Sequence, residues 1–234
     1  MPVAPHCHEN RETLIESLTR LVAGDLRQAI DTRDHAVLLV SGGSTPAPLY
    51  RALSGVDLDW SRVHVALVDE RWVPTDHAAS NERLIRETLL CGAAAQARFT
   101  GMKNSAPTPQ QGVDACNLDY ASLPEPYTLC LLGMGADGHT ASLFPRAQGL
   151  TTALQSDRYC AAIKAERSAV TGDFLDRMTL TAEAILKSER LVLLITGEDK
   201  WAALQSAEAT TDTSLAPIRF FTRQPRPIEV YWAP

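Results

Sequence analysis

The sequence of 234 residues has no long hydrophobic run, and a membrane-spanning helix needs about 18 consecutive apolar residues. Its first residues also lack an apolar core like that of a signal peptide, so we expect a cytoplasmic protein that does not bind membranes. Basic residues are few, 22 Lys and Arg against 28 Asp and Glu, for a formal net charge of −6. Nucleic-acid-binding proteins usually carry a basic face, so the charge argues against that class. If the ligand is an anion, the positive charge that binds it must be local.

The five cysteines form no CxxC pair and are odd in number, which argues against a zinc ribbon and against a disulfide framework. Cys116 and Cys130 lie in apolar stretches and are expected to pack as small hydrophobic side chains. We interpret the His6-Cys7-His8 triplet as part of a flexible N-terminal tail over residues 1–9, because adjacent positions do not place three ligands on one side of a regular element. No other cluster has metal-ligand spacing, so no metal is expected.

What is present is an alternation of short apolar runs with helical patterns, which is typical of a mostly parallel sheet covered by helices. Thr45 is expected to cap a helix whose first residue is Pro46, and no stretch resembles a domain linker. Helices are predicted over 10–32, 81–90, 107–123, 181–188 and 200–209. Strands are predicted over 36–40, 63–68, 127–132, 159–163, 191–196, around 220–221 and over 228–232.

Four marked segments follow predicted strands: residues 41–46, 69–74, 133–139 and 197–200. In open parallel sheets, ligands bind beyond the carboxyl ends of the strands. We therefore expect these four segments to meet at one active site.

The first segment, Ser41-Gly42-Gly43-Ser44-Thr45, lies between a strand and a helix. Glycines let a backbone approach a ligand closely, and free amides at a helix start suit a phosphate. The alternative is a tight turn with a capped helix and no ligand. The segment is not a Walker A loop, because no lysine follows at the required spacing. It is not a nucleophile elbow either, because Pro46 follows where G-x-S-x-G needs glycine.

The third segment satisfies G-x-G-x-x-G after a strand, as a dinucleotide-binding fingerprint does. That fingerprint needs a helix of several turns directly afterwards, and here Phe144-Pro145 would end one almost at once. The glycines are more consistent with a loop that presents Asp137 and His139. An imidazole can accept a proton at neutral pH, so His139 is the candidate general base and Asp137 the group that orients it.

The remaining strand-end segments supply charge. Arg71, in Asp69-Glu70-Arg71, can bind a phosphate or carboxylate with a forked pair of N–H groups. Lys200 stands at a predicted helix start and is either a second cation of the site or a solvated charge. Asp69 and Glu70 are candidates for an additional acid or base.

Six stretches, taken together, resemble the 6-phosphogluconolactonase family, which is related to the glucosamine-6-phosphate deaminases and isomerases. DERWVP with the downstream Ser80-Asn81 favours the lactonase branch, because the deaminases resemble it there only at the acidic pair. The stretches are VSGGSTP (40–46), DERWVP (69–74), SNERLIRETLL (80–90), LGMGADGHTASLFP (132–145), RMTLT (177–181) and ITGEDK (195–200).

The resemblance implies a single α/β domain over residues 1–234, a three-layer α/β/α sandwich with a Rossmann-like central sheet and no cofactor. It implies hydrolysis of 6-phospho-D-glucono-1,5-lactone in the oxidative pentose phosphate pathway, with His139 as general base and Asp137 beside it. The phosphate and sugar acid would be held by Arg71, Lys200, Arg177 and the loop Ser41, Gly42, Gly43, Ser44 and Thr45. We expect a monomer whose partner is this small phosphorylated lactone.

The chain departs from the family over residues 164–177, where a stretch that is commonly rich in lysine and proline contains no proline. Two alternatives stay open. An isomerase or deaminase on the same fold would use Asp69 or Glu70 to remove a carbon-bound proton. A non-catalytic sugar-phosphate sensor would bind the ligand without turnover.

Overall fold

The computed structural model describes residues 4–234, which form ten strands and eight α-helices. The strands are β1 (His6–Cys7), β2 (Ala36–Val40), β3 (Val63–Leu67), β4 (Asp69–Arg71), β5 (Arg98–Thr100), β6 (Tyr127–Leu132), β7 (Cys160–Lys164), β8 (Asp176–Leu180), β9 (Ser188–Thr196) and β10 (Glu229–Ala233). The helices are α1 (Arg11–Arg33), α2 (Ala47–Ser54), α3 (Asn81–Thr88), α4 (Pro109–Ala121), α5 (Leu150–Gln155), α6 (Ala182–Leu186), α7 (Glu198–Ala209) and α8 (Ile218–Thr222).

Seven strands form one parallel sheet in the order β1-β10-β9-β6-β2-β3-β5. Every residue of the central strands β2 and β6 is buried, as expected for strands covered by helices on both faces. The apolar runs AVLLV and YTLCLL therefore form these strands because both of their faces meet packed side chains. The three-layer α/β sandwich predicted from the sequence is confirmed.

A second, antiparallel sheet has the order β4-β8-β7 and lies at the carboxyl end of β3. Only Val68 separates β3 from β4, and its N–H donates to the carbonyl of Val40 in β2. Strand β4 therefore continues directly from the large sheet into the small one. This connection places Asp69 and Arg71 just beyond the carboxyl end of β3.

Helix α1 follows its predicted pattern closely. The Asn10 side chain accepts a hydrogen bond from the N–H of Thr13 and begins the helix, and Asp34 in the left-handed region ends it. Its buried face repeats every three or four residues, as an amphipathic helix requires. The residues of that face are Leu14, Leu18, Val22, Leu26 and Ile30.

Two predictions of local structure are wrong. Helix α2 begins at Ala47 with Pro46 as its cap, so Thr45 provides no side-chain cap. Phe220 and Phe221 lie in helix α8, not in a strand. Pro217, with φ −59°, precedes that helix, and Phe221 is buried in the core. Two adjacent aromatic residues resemble a strand in sequence, but here they occupy a single helical turn.

The prediction of a flexible tail over residues 1–9 is also wrong for the part of this segment that the structure describes. His6 and Cys7 form strand β1, which pairs in parallel with Tyr231 and Trp232 at the sheet edge. The His6 ring stacks on Tyr231 with ring centroids 4.4 Å apart. Backbone pairing and aromatic contact fix this segment, whereas residues 1–3 lie outside the described part. Among the helices of residues 4–234, none is long and apolar enough to cross a membrane.

Candidate active site

A cavity of about 440 Å³ lies at the carboxyl ends of β2, β6 and β9. All four predicted strand-end segments contribute to its wall, which confirms that they come together at one place. Its lining residues are Ser41, Gly42, Gly43, Ser44, Thr45, Pro46, Asp69, Arg71, Asn81, Gly133, Met134, Gly135, His139, Ala141, Val170, Arg177, Leu194, Ile195, Thr196 and Lys200.

His139 and Asp137 form the hydrogen-bonded pair of this site. The distance from His139 Nδ1 to Asp137 Oδ1 is 2.6 Å, and the backbone N–H of His139 donates to the same oxygen. Burial alone would raise the pKa of Asp137, but the hydrogen bond and charge of His139 outweigh it, so the pKa lies below its usual value. An ionised carboxylate only accepts hydrogen bonds. Nδ1 therefore carries the proton, and Nε2, on the other side of the ring, is free to act as a base.

The loop between β6 and the histidine is folded tightly around this pair. The N–H of Gly135 donates to the carbonyl of His139 at 2.9 Å, and the Phe144 ring packs against the imidazole with centroids 4.2 Å apart. Lys200 Nζ donates to the carbonyl of Met134 at 2.7 Å, which ties the loop to α7. The glycines thus allow a tightly packed loop that presents Asp137 and His139. This agrees with the interpretation of the segment as a loop and not as a dinucleotide-binding fingerprint.

Gly135 leaves no room for a side chain. A Cβ atom there would lie 2.1 Å from His139 Nδ1 and 2.5 Å from Asp137 Oδ1. We expect Gly135→Ala to displace the His–Asp pair and to lower kcat at least tenfold, because misplacement of a catalytic group by about 1 Å costs up to 10²-fold.

Gly24→Ala is the matched control for Gly135→Ala, because a Cβ at Gly24 meets nothing within 4 Å. It lies inside α1, where alanine should raise stability by about 0.5–1 kcal/mol and leave turnover unchanged. Steady-state kinetics with circular dichroism compare the two variants. A folded Gly135→Ala protein with wild-type kcat would show that the tight loop is unimportant for the pair.

The loop from Ser41 to Thr45 follows β2 as predicted, with Gly43 in the left-handed region at φ 110°. Gly42 is packed against Asn81, whose Oδ1 would lie 1.8 Å from a Cβ at position 42. Ser41 is buried and its hydroxyl donates to the carbonyl of Leu131, so this side chain secures the loop to β6. Ser44 and Thr45 are left more accessible at the cavity wall.

Arg71 and Arg177 lie directly opposite each other in the pairing of β4 and β8, and both line the cavity. One terminal N–H group of Arg71 donates to the carbonyl of Ala79, whereas its buried Nε has no hydrogen-bond partner among residues 4–234. A buried donor without a partner costs free energy.

Arg177 was predicted as a phosphate contact, but its side chain is buried and already hydrogen-bonded within the protein. Its Nε donates to the carbonyl of Phe174 at 2.6 Å, and its guanidinium lies 5.3 Å from the Phe144 ring centroid. Burial lowers the pKa of Arg177 to about 10 despite the nearby Asp69 carboxylate, and Arg71 acts in the same direction as burial. Burial likewise lowers the pKa of Lys200, and Asp137 opposes the effect.

Asp69 and Glu70 differ sharply in what they can do. Asp69 lines the cavity, and its carboxylate accepts hydrogen bonds from Ser142 Oγ at 2.6 Å and Asn81 Nδ2 at 3.3 Å. Glu70 is fully buried and does not line the cavity. The prediction of Glu70 as an additional acid or base is therefore wrong, because strand alternation points it away from the ligand.

Glu70 instead binds the beginning of α3. Its Oε1 accepts from the N–H groups of Arg71 and Asn81, and its Oε2 from Ser80 Oγ and the N–H of Glu82, all within 2.9 Å. Burial raises the pKa of Glu70, while these four donors act against the rise. The carboxylate thereby holds Arg71 and Asn81 in place at the cavity edge.

Glu70→Gln should destabilise the fold by about 1–3 kcal/mol, because the amide NH₂ would face backbone donors and leave them without an acceptor. Urea denaturation followed by fluorescence measures the change. The matched control, Glu183→Gln, alters an exposed glutamate in the first turn of α6 and is expected to shift the midpoint little. Equal midpoints for the two variants would contradict the anchoring role.

Sequence reasoning missed Asn81, Ser142 and Val170. Asn81 was noted only within the Ser80-Asn81 pair that followed DERWVP, and that pair was the available signal. It lies against Gly42 and donates to Asp69, so it joins two walls of the cavity.

Among residues 4–234 there is no group of three or more His, Cys, Asp or Glu side chains placed to hold a metal ion.

Comparison with known proteins gives the family. The family model for glucosamine-6-phosphate isomerases and 6-phosphogluconolactonases matches residues 9–232. This chain belongs to that family. A 6-phosphogluconolactonase of Rhizobium meliloti is 41% identical over 230 residues, which cover 98% of each chain. One from Pseudomonas aeruginosa is 40% identical over 215 residues, covering 91% of this chain and 87% of the relative.

Solved structures of the family agree with the fold. The crystal structure of a 6-phosphogluconolactonase from Shewanella baltica superposes with a TM-score of 0.94 at 37% identity, covering 99% of this chain and 98% of that one. Family membership confirms the resemblance carried by the six sequence stretches. The family model covers both isomerases and lactonases, whereas each of these three relatives is named as a 6-phosphogluconolactonase.

Proposed function

We propose that this protein is a 6-phosphogluconolactonase that hydrolyses 6-phospho-D-glucono-1,5-lactone to 6-phospho-D-gluconate. The observation that carries the proposal is the His139–Asp137 pair at 2.6 Å beside a cavity that also holds Arg71 and Lys200. A base oriented by a carboxylate suits water activation, and clustered cations suit a phosphate. The similar proteins of R. meliloti and P. aeruginosa are both named 6-phosphogluconolactonase.

The reaction needs no covalent nucleophile, because a lactone is already an activated ester. Nε2 of His139 takes a proton from a water molecule as its oxygen attacks C1. Asp137 stabilises the imidazolium that results. Negative charge develops on the carbonyl oxygen and is met by preorganised backbone N–H donors at the cavity wall. The bond between C1 and the ring oxygen then breaks, and the imidazolium returns the proton to that oxygen.

The phosphate end of the substrate provides binding energy that positions C1. Arg71 places its guanidinium at the cavity wall, and Lys200 adds a second cation to the same cavity. The Ser41–Thr45 loop contributes backbone amides and the accessible Ser44 and Thr45 hydroxyls. These groups supply the local positive charge that an acidic protein needs in order to bind an anion.

Lactone hydrolysis measured with and without the 6-phosphate, in EDTA, tests the proposal. Proton release followed in a pH-stat reports the new carboxylic acid directly. We expect turnover in EDTA, with a much higher kcat/KM for the phosphorylated lactone. Inhibition by EDTA, or equal kcat/KM for both lactones, would contradict the proposed site.

The competing activity is tested in parallel with glucosamine 6-phosphate. Asp69, which lies at the cavity wall, is the group that would remove a carbon-bound proton in a deaminase or isomerase. Ammonia release is the readout, and we expect none. Rapid ammonia release without lactone turnover would overturn the lactonase assignment in favour of the deaminases, and binding of 6-phosphogluconate without either reaction would favour a sensor.

A further inference from the structure

We call the loop between β7 and β8, residues 165–175, the roof loop. Its base is closed by a hydrogen bond from the N–H of Ala165 to the carbonyl of Leu175. From its tip, Val170 reaches the cavity wall, where it is the only lining residue that this loop contributes. Val170 is nevertheless 41% exposed, so its apolar side chain lies between the cavity and solvent.

The roof loop is held in one shape by an internal set of hydrogen bonds. Thr171 Oγ1 donates to the carbonyl of Glu166 at 2.7 Å and accepts from the N–H of Ser168 at 2.8 Å. Ser168 Oγ in turn accepts from the N–H groups of Val170 and Thr171. Thr171 is itself buried. The position of Val170 is therefore set by its two polar neighbours and not by apolar packing of its own.

Arg177 fastens this loop to the catalytic side of the cavity. Its guanidinium donates to the carbonyls of Phe174 and Thr171, at 2.6 Å and 3.4 Å, and lies over the Phe144 ring that packs against His139. The exposed Phe174 makes an edge contact with His77, with centroids 5.3 Å apart. One arginine thus links the roof loop to the wall that carries the base.

We propose that Val170 is a specificity-determining residue, held by the roof loop as an apolar contact for the C–H face of the bound sugar ring. The ring carbons of a sugar lactone need an apolar surface. Met134, Leu194 and Ile195 of the lining are buried, whereas Val170 is exposed. An aliphatic side chain that is half exposed before binding gains from being covered by the ring. This inference rests on the proposed function, because it takes the phosphorylated lactone as the ligand.

The test compares KM and kcat of three variants with the wild type in the pH-stat assay. Val170→Ala removes two methyl groups and is expected to raise KM roughly threefold to tenfold with kcat unchanged. Thr171→Val keeps the shape but removes the hydroxyl that orders the loop, and it should raise KM in the same direction. Leu118→Ala is the control, since Leu118 is 75% exposed on α4 and does not line the cavity.

Hydrogen exchange of the roof loop provides a readout that a merely structural role would not move. Added 6-phosphogluconate should slow exchange of the amides of residues 165–175 in the wild type, and less so in Val170→Ala. Unchanged KM in Val170→Ala, or a loss of kcat alone, overturns the inference about Val170.

Failure of the proposed function looks different from failure of this inference. Absence of turnover in the wild type overturns the lactonase, and calorimetric binding of 6-phosphogluconate then decides the Val170 contact. In that case a weaker binding by Val170→Ala still supports the contact, whereas equal binding or no binding by the wild type overturns it.

Discussion

Replacing His139 with alanine is expected to lower kcat about 10²- to 10⁴-fold while KM changes little. A positioned general base contributes a factor of this size, and the hydrogen bond to Asp137 fixes the imidazole in the tautomer that leaves Nε2 free. A group that acts only on the reacting water is used in the transition state. Its removal therefore appears in kcat and kcat/KM equally.

The measurement is initial-rate proton release, corrected for spontaneous opening of the lactone. His6→Ala is the matched control, because His6 stacks on Tyr231 in the edge strand β1 and does not line the cavity. It should retain wild-type rates. A large rise in KM at unchanged kcat for His139→Ala would mean that this histidine binds substrate and performs no proton transfer.

Replacing Arg71 with alanine is expected to raise KM roughly tenfold to a hundredfold with a smaller effect on kcat. Hydrogen bonds to a charged group contribute about 1.5–3 kcal/mol, and about 1.4 kcal/mol corresponds to a factor of ten. The position of Arg71 at the cavity wall makes its guanidinium our candidate for the phosphate contact. The loss should therefore depend on the phosphate itself.

Kinetics with phosphorylated and unphosphorylated gluconolactone separate the two contributions. Arg71→Ala and the wild type should differ strongly with the first substrate and little with the second. Arg20→Ala, at an exposed position of α1, controls for the change in net charge. An equal defect with both lactones would place Arg71 at the carbonyl end of the substrate, as an oxyanion donor, and would contradict the phosphate assignment.

The large sheet was predictable because its central strands are continuous apolar runs. AVLLV and YTLCLL are buried on both faces, and such burial leaves a direct trace in the sequence. Strand β8, with the sequence DRMTL, has no apolar run or clear alternation and was not predicted as a strand. Its structure depends on pairing with β7 and with β4, and β4 is distant in sequence.

The location of the site was predictable for a topological reason, since parallel strands end at one edge of the sheet. The sequence did not predict that Asp69 lines the cavity while Glu70 is buried away from it. Both are acidic residues at a strand end. Only the structure shows that the carboxylate of Glu70 accepts hydrogen bonds from the first backbone N–H groups of α3. Asn81 was hidden for the same reason, because a polar residue at a helix start looks like an ordinary cap in sequence.

Because Arg71 and Arg177 pair across β4 and β8, we expect the melting temperature of the protein to depend on the anion in its buffer. Two like charges held opposite each other repel, and the nearby Asp69 carboxylate opposes this repulsion at Arg177. A phosphate that enters relieves it and binds the folded state alone, so the melting temperature should climb with phosphate concentration. Chloride at equal ionic strength would not reproduce the full rise, since it lacks several oxygens to share between the two guanidinium groups.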